Sequence, residues 1–349
     1  MNPYIFSLLL LGLGLGTSIT FASSHWLMAW MGLEISTLSI LPLMAQSHHP
    51  RAVEATTKYF LAQATAAATL LFASCTNAWL TGQWDILQTH HSIPTTMLVI
   101  ALALKMGLAP MHSWMPEVLQ GLSLDTGLIL ATWQKLAPFA LIVQVQSSAA
   151  STTLLALGVM SLLVGGWGGL NQTQLRKLLA YSSIAHMGWM LIVLQYSPTL
   201  TLLALFTYII LTSSTFLIFK LTNATSISAL AAFRLKFPTI TALVPLILLS
   251  LGGLPPLTGF VPKWFILHEL TKQDLSALAA TSALMALLSL YFYLRLSYAM
   301  ALTMYPNNIS GIPTWRLTHT KATLLTALFT IMSISLLPLT PAAMALIMP

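Results

Sequence analysis

The sequence predicts an all-α polytopic membrane protein of about eleven transmembrane helices, arranged as two inverted five-helix repeats that each contain a proline-broken helix. Three observations predict it. Of 349 residues, 57% are hydrophobic and only 6% charged, against about 25% charged in a soluble domain, so lipid must be the main solvent. Apolar stretches long enough to cross about 30 Å of hydrocarbon recur along the whole length. The stretch GLAPMHSWMPE (107–117) returns as GLPPLTGFVPK (253–263), always 146 positions on. The copies share Gly-Leu-x-Pro, an aromatic residue (Trp114, Phe260), and a proline followed by a charge (Pro116-Glu117, Pro262-Lys263).

In lipid every backbone polar group must be paired internally, so the apolar spans should be helices. The first two, 3–21 and 25–45, are joined by a short turn, and the second carries Glu34 at its centre. The third, 58–79, follows the cations Arg51 and Lys58. The fourth, 95–112, has Lys105 midway, enters the first motif copy and continues past its prolines to about 121. Lys135 is central in the fifth, 122–146. The sixth, 149–170, closes on VGGWGG, and the seventh, 175–196, has His186 at its middle. The eighth, 198–221, precedes the ninth, 238–256, which runs through the second copy to about 271 and holds Lys263. The tenth, 275–303, carries Arg295 eight residues from its end, where snorkelling or a local pair would satisfy it. The last, 322–345, is appended. The organisation is thus 1–146 as first repeat (broken helix about 95–121), 149–303 as second (broken helix about 238–271), and 322–345 as an added helix.

Loop charges test that order. Connections after even-numbered spans, together with the ends of their neighbours, hold Arg51, Lys58, Arg176, Lys177, Lys220, Arg234, Lys236, Arg316 and Lys321; those after odd-numbered spans hold Lys272 alone. This positive-inside bias puts the amino terminus on the negative side of the membrane, matrix or cytoplasm, and the carboxyl terminus opposite. The motif copies sit five crossings apart. Five is odd, so equivalent spans run in opposite directions, which makes the repeat inverted. Inverted repeats with broken helices are a transporter architecture, with the site at each break.

Composition also excludes. Cys75 is the only cysteine, so neither a disulfide framework nor an iron–sulfur cluster can be built. The net charge of +7 comes from 14 Lys and Arg, and their placement speaks for topology rather than nucleic acid. There is no phosphate-binding P-loop, and GLGLGTS (12–18) is an incidental glycine pattern inside the first span. His48-His49 and His90-His91 lack cysteine or carboxylate partners at metal spacing. The amino terminus has no basic n-region or A-x-A site, which leads us to expect a chain either made in its own membrane compartment or inserted without a cleaved presequence. Ten Trp and nine Tyr are expected at the membrane interfaces.

Against this apolar background the mid-span charges stand out. One charge at a helix centre costs about 2.5–3.5 kcal/mol on insertion scales. Glu34, Lys105, Lys135 and Lys263 together would cost roughly 10–14 kcal/mol if charged and unpaired. Burial disfavours the charged form of either group, and a nearby opposite charge restores it. A buried lysine can therefore gain or lose its proton as a carboxylate approaches or leaves, and an imidazole such as that of His186 ordinarily titrates near neutrality. The pattern predicts a water-linked proton relay flanked by Ser36, Thr37, Ser39, Thr132, Gln134, Ser182 and Ser183. His112, in the first break, is either a satisfied polar residue or a member of that relay.

The stretches ALKMGLAPMHSWMPEVLQG (103–121), SSIAHMGWM (182–190), LSLGGLPPLTGFVPKW (249–264) and MAWMGLEISTLSILPLM (28–44) resemble the antiporter-like membrane-arm subunits of respiratory complex I, of the mitochondrial NADH–ubiquinone oxidoreductase chain 2 type. The resemblance runs from residue 1 to the end, and the length suits a vertebrate version. It implies an antiporter-like fold that begins at the fourth span of fourteen-span bacterial relatives, with the amino terminus on the matrix side of the mitochondrial inner membrane and the carboxyl terminus in the intermembrane space. It implies that Glu34 and Lys105 form the family's Glu–Lys pair, that Lys135 is the central lysine, that His186 lies on the central polar axis and that Lys263 is the terminal lysine. Leu251 stands where the first copy has Lys105, so the two halves need not act alike. It further implies other membrane-arm subunits as partners, antiporter-like neighbours among them, and membrane lipids such as cardiolipin. No cofactor is expected on this chain; NADH, flavin, iron–sulfur clusters and ubiquinone would belong to other subunits. Two other readings are an autonomous cation/proton antiporter, which would ordinarily need more buried carboxylates than Glu34, and a structural spacer whose pump has decayed.

Overall fold

The computed structural model describes residues 2–89, 91–145, 151–222, 224–232, 238–301 and 324–347. His90, Arg234, Lys236, Arg316 and Lys321 lie outside them, as do parts of the fifth, sixth, tenth and eleventh expected spans. The described residues form helices and no strands, and the chain divides into two compact units, Met1–Val164 and Gly165–Pro349.

The first unit begins with α1 (Pro3–Ala22) and α2 (Trp26–Met44), packed along their lengths. A Cβ on Gly16 would come 2.7 Å from the Gly32 carbonyl oxygen, so small residues set this close approach. Next is α3, Pro50–Thr81. It starts two turns before the apolar stretch from 58, because His49 caps it by accepting the Arg51 N–H and Pro50 sits at its first position, where no N–H is needed. The added turns are amphipathic and carry Glu54 and Lys58. The fourth span is broken as expected, into α4 (Ser92–Met106) and α5 (Trp114–Gly121). The fifth is also divided, into α6 (Leu124–Ala131) and α7 (Trp133–Gln144), at Thr132, whose hydroxyl bonds back to the Leu128 carbonyl. Neither Gly nor Pro marks that division in the sequence.

From α8 (Ser151–Gly169) the chain enters the second unit, with α9 (Leu175–Val193), α10 (Pro198–Thr222) and the short α11 (Ile227–Ala232). The ninth span is α12 (Pro238–Gly252) and α13 (Phe260–Lys272), followed by α14 (Ser276–Ala301). The last span is α15 (Leu324–Ser335) and α16 (Thr340–Ile347), divided around Pro338.

Among the described residues, seven helical segments, with α6 and α7 taken together as Leu124–Gln144, are long and apolar enough to cross a membrane, and three shorter apolar helices accompany them. Outward faces are oily: Leu8, Leu11 and Leu15 on α1, Leu284, Leu287 and Tyr291 on α14. The aromatic residues do not all serve as interface anchors. Trp26, Tyr59, Tyr208 and Tyr293 are buried, because the folded units need large side chains inside as well.

The two breaks share their cap and restart geometry. Gly107 and Gly253 have φ of +74° and +82°. Each ends its helix with a six-to-one backbone bond, Leu108 N–H to Ala103 O and Leu254 N–H to Leu249 O, the cap that needs a left-handed residue and favours glycine. The second half-helices also start alike, with Met115 N–H to His112 O and Val261 N–H to Thr258 O. All these pairs differ by 146.

Candidate functional site

In the first unit the breaks bring buried charge together. Lys105, in the last turn of α4, points its amine at Glu34 of α2, Nζ to Oε1 3.5 Å. The lysine side chain is 2% exposed and the glutamate side chain 25%, with the Oε1 that faces the lysine buried. Lys105 and Lys135, on α4 and α7, line the same narrow cavity, whose other walls include Ser36, Thr37, Tyr59, Gln63 and Gln134. It has room for about one water. Pro138 also lines it, and its ring removes the N–H that would have bonded the Gln134 carbonyl.

In the second unit, Lys263 and His186 line a similar cavity with Thr207, Tyr208 and Gly259. The His186 and Tyr208 rings lie 5.6 Å apart. Here the lysine caps a helix: Lys263 Nζ donates to Gly252 O at 2.8 Å and Leu251 O at 3.3 Å. Cations belong at this negative end of a helix, beside carbonyls that the break has freed.

The structure therefore groups Glu34, Lys105 and Lys135 in one unit, and His186 with Lys263 in the other. It does not bring His112 to the Lys105 cavity. That ring turns to its own loop, Nδ1 3.1 Å from Pro110 O. Arg295 bonds Leu170 O at 2.8 Å on the protein surface. The hydroxyls expected to flank a path are mostly committed to their own helices: Ser36 to Leu33 O, Ser39 to Ser36 O, Ser182 to Leu179 O and Ser183 to Ala180 O. Gln134 is the exception, reaching from α7 to Ser36 O on α2 at 3.1 Å.

Sequence reasoning missed Tyr59 and Gln63, which α3 presents to the cavity four residues apart. Gln63 is 4% exposed and donates to Lys105 O at 3.4 Å. Trp114, noted only as part of the repeat, donates its indole N–H to Leu104 O at 3.1 Å and meets Tyr59 edge-on. An amide inside an apolar span was the available signal for Gln63.

The family model described as NADH:quinone oxidoreductase/Mrp antiporter, TM, matches residues 23–289, and that of NADH dehydrogenase subunit 2 C-terminus matches 290–344. The NADH-ubiquinone oxidoreductase chain 2 of Tetraodon nigroviridis is 66% identical over 346 residues, covering 99% of both chains. The chain belongs to the NADH-ubiquinone oxidoreductase chain 2 family. The Salmo salar member is 64% identical over 347 residues, again covering 99% of each. Among solved structures, a chain of respiratory complex I from Thermus thermophilus with bound aureothin superposes with a TM-score of 0.87 at 27% identity, over 99% of this chain and 80% of that one. A chain of the Mrp complex from Dietzia sp. DQ12-45-1b gives 0.84 at 17%, over 97% and 76%, a likeness of fold alone. For this family the antiporter-like fold expected from the sequence holds.

Proposed function

We propose that this chain, a membrane-arm subunit of respiratory complex I in the mitochondrial inner membrane, translocates protons through buried charges, Glu34, Lys105 and Lys135 in the first unit and His186 and Lys263 in the second. The work is coupled to oxidation of NADH by ubiquinone in other subunits, which hold the flavin, iron–sulfur clusters and nicotinamide. The observation that carries this reading is the Lys105–Glu34 ion pair on the rim of a cavity shared with Lys135. At 3.5 Å and an effective dielectric of about 20, the attraction is about 5 kcal/mol. Desolvation costs several kcal/mol per ion, so the pair is poised near balance. Doubling the gap would halve the attraction, and a modest shift of either helix then decides where the proton rests. Lys135, in the same cavity, is the next acceptor.

Two five-helix repeats of opposite direction, 1–146 and 149–303, with the amino terminus on the matrix side, belong to the same proposal. Matched break geometry and the one-sided loop charges support it. Partners are the other membrane-arm subunits, with antiporter-like neighbours and lipids such as cardiolipin against the oily outer faces. An autonomous cation/proton antiporter has weaker support: likeness to the Mrp chain stands at 17% identity, while relatives at 64–66% carry the respiratory name.

The test is proton pumping per NADH oxidised in membranes whose complex carries Lys135→Met, with Glu34→Gln alongside. Pumping should fall steeply while the complex stays assembled. Normal stoichiometry in both would leave the chain a scaffold.

A further inference from the structure

The two breaks share the glycine cap but satisfy their freed carbonyls with different groups. The carbonyl of Leu251 in the second break takes the amine of Lys263 at 3.3 Å. Its counterpart 146 residues earlier is the carbonyl of Lys105, and this one takes the side-chain amide of Gln63 at 3.4 Å. The preceding carbonyl, Leu104 O, takes the Trp114 indole N–H at 3.1 Å. Phe260, the counterpart of Trp114, has no N–H to give, and Glu117, the counterpart of Lys263, lies at the surface against Lys58 at 2.8 Å. Neutral side-chain donors thus meet Lys105 O and Leu104 O at the first break, whereas an ammonium meets Leu251 O and Gly252 O at the second. The consequence falls on the lysines. Lys263 is held on a helix end, whereas the Lys105 amine makes no hydrogen bond and has Glu34 as its ion-pair partner.

We propose that Gln63 and Trp114 are positioning residues for Lys105: by bonding the Lys105 and Leu104 carbonyls at the first break, they leave its ammonium to Glu34 instead of to those two acceptors. A lysine in the last turn of a helix readily bonds the final carbonyls, and in a site closed to water an open carbonyl is a strong attractor for an ammonium. Removing either neutral donor therefore frees acceptor capacity at the end of the lysine's own helix, a rival to Glu34 for the amine. The rivalry would slow proton exchange without deleting any ionisable group. In the second break, where Leu251 stands at the Lys105 position, an ammonium from the other half-helix, that of Lys263, takes the carbonyls.

This rests on the relay proposed above, and the test separates the two. Gln63→Leu and Trp114→Phe would be placed in the assembled complex, each alone and each together with Glu34→Gln, and proton pumping and NADH:ubiquinone turnover measured across pH. Trp114→Phe installs the residue that the second copy already holds at that position, and Gln63→His retains an N–H donor. Each donor-removing variant is expected to lower pumping by roughly five- to tenfold and to displace the pH profile. Combined with Glu34→Gln, either should add less than twofold to the loss, since the pair it protects is already gone. Gln63→His should recover most of the rate. Equal losses with and without Glu34→Gln, or an unmoved pH profile, would overturn the positioning role. Normal pumping by Glu34→Gln itself would instead overturn the relay.

Discussion

Lys105 Nζ stands 3.5 Å from Glu34 Oε1, with the lysine side chain enclosed and the glutamate side chain a quarter exposed, its Oε1 buried. That asymmetry makes the two partners unequal in energy. Glu34→Gln leaves a charge, or a neutral amine that has had to give up its proton, inside the protein, and should cost up to about 3 kcal/mol of stability. Lys105→Met leaves the charge on the less enclosed of the two side chains and should cost less. The double variant should be milder than the two losses added, because neither buried charge then remains. Thermal unfolding of the purified complex carrying each variant would show the order, and strict additivity would mean the pair is not coupled.

Lys135 separates two meanings of a buried charge. A relay needs a group that releases its proton, whereas a fixed field needs only a permanent cation. Arginine keeps its proton in essentially any protein site. Lys135→Arg should therefore abolish pumping about as thoroughly as Lys135→Met, even though it preserves the charge. Pumping retained by Lys135→Arg but lost with Lys135→Met would assign the residue a static electrostatic role. The site is 3% exposed in a cavity whose walls also include Leu33, Met106 and Leu130, so Met should fit with little loss of assembly.

Much of this site was legible in the sequence for one reason: charge in lipid is expensive, and any residue that defies the cost is conspicuous. Glu34, Lys105, Lys135 and Lys263 announced themselves that way, and the 146-residue repeat located both breaks. What was not legible depends on direction rather than polarity. Nothing in the string tells that His112 folds onto Pro110 O while Gln63, from another helix, reaches Lys105 O. The division at Thr132 was hidden because its backbone groups are repaired by its own hydroxyl and neighbouring turns instead of by Gly or Pro. Likewise α3 begins at Pro50 and not at the hydropathy edge, since a histidine cap and an ion-paired amphipathic turn can extend a helix beyond the membrane-like stretch.

Gly253 joins cap and lysine. Its φ of +82° favours glycine, and a side chain there costs about 1–2 kcal/mol in backbone conformation alone. A Cβ would also come 2.9 Å from Lys263 Cδ and 3.0 Å from its Nζ. Gly253→Ala should thus destabilise the second break and push the amine off Gly252 O. Gly107→Ala shares the backbone cost, but there the added methyl meets Met115 and Trp114 instead of the lysine. If both act only through the backbone, the two variants will lose equal stability and equal pumping. Displacement of Lys263 predicts the greater loss of pumping for Gly253→Ala at matched stability.

The last span is fastened to the second break by one buried bond, Thr258 Oγ1 to Ser333 O at 2.6 Å. Ser333 lies in the final turn of α15, where the helix stops ahead of Pro338 and its last carbonyls lack intrahelical partners. Thr258 is 2% exposed and Ser333 is fully buried, so no water stands ready to replace the hydroxyl. Thr258→Val keeps the shape and removes the donor, which should cost about 1–3 kcal/mol through the orphaned carbonyl. Thr258→Ser keeps the donor and loses a methyl, a smaller change of about 1 kcal/mol. Measured as thermal stability of the assembled complex, Val should therefore be the worse substitute although it is the better fit in volume. The reverse order would mean that packing against Ile210, Leu211, Met332 and Leu336, which surround this contact, holds the last helix in place and that the hydrogen bond is incidental.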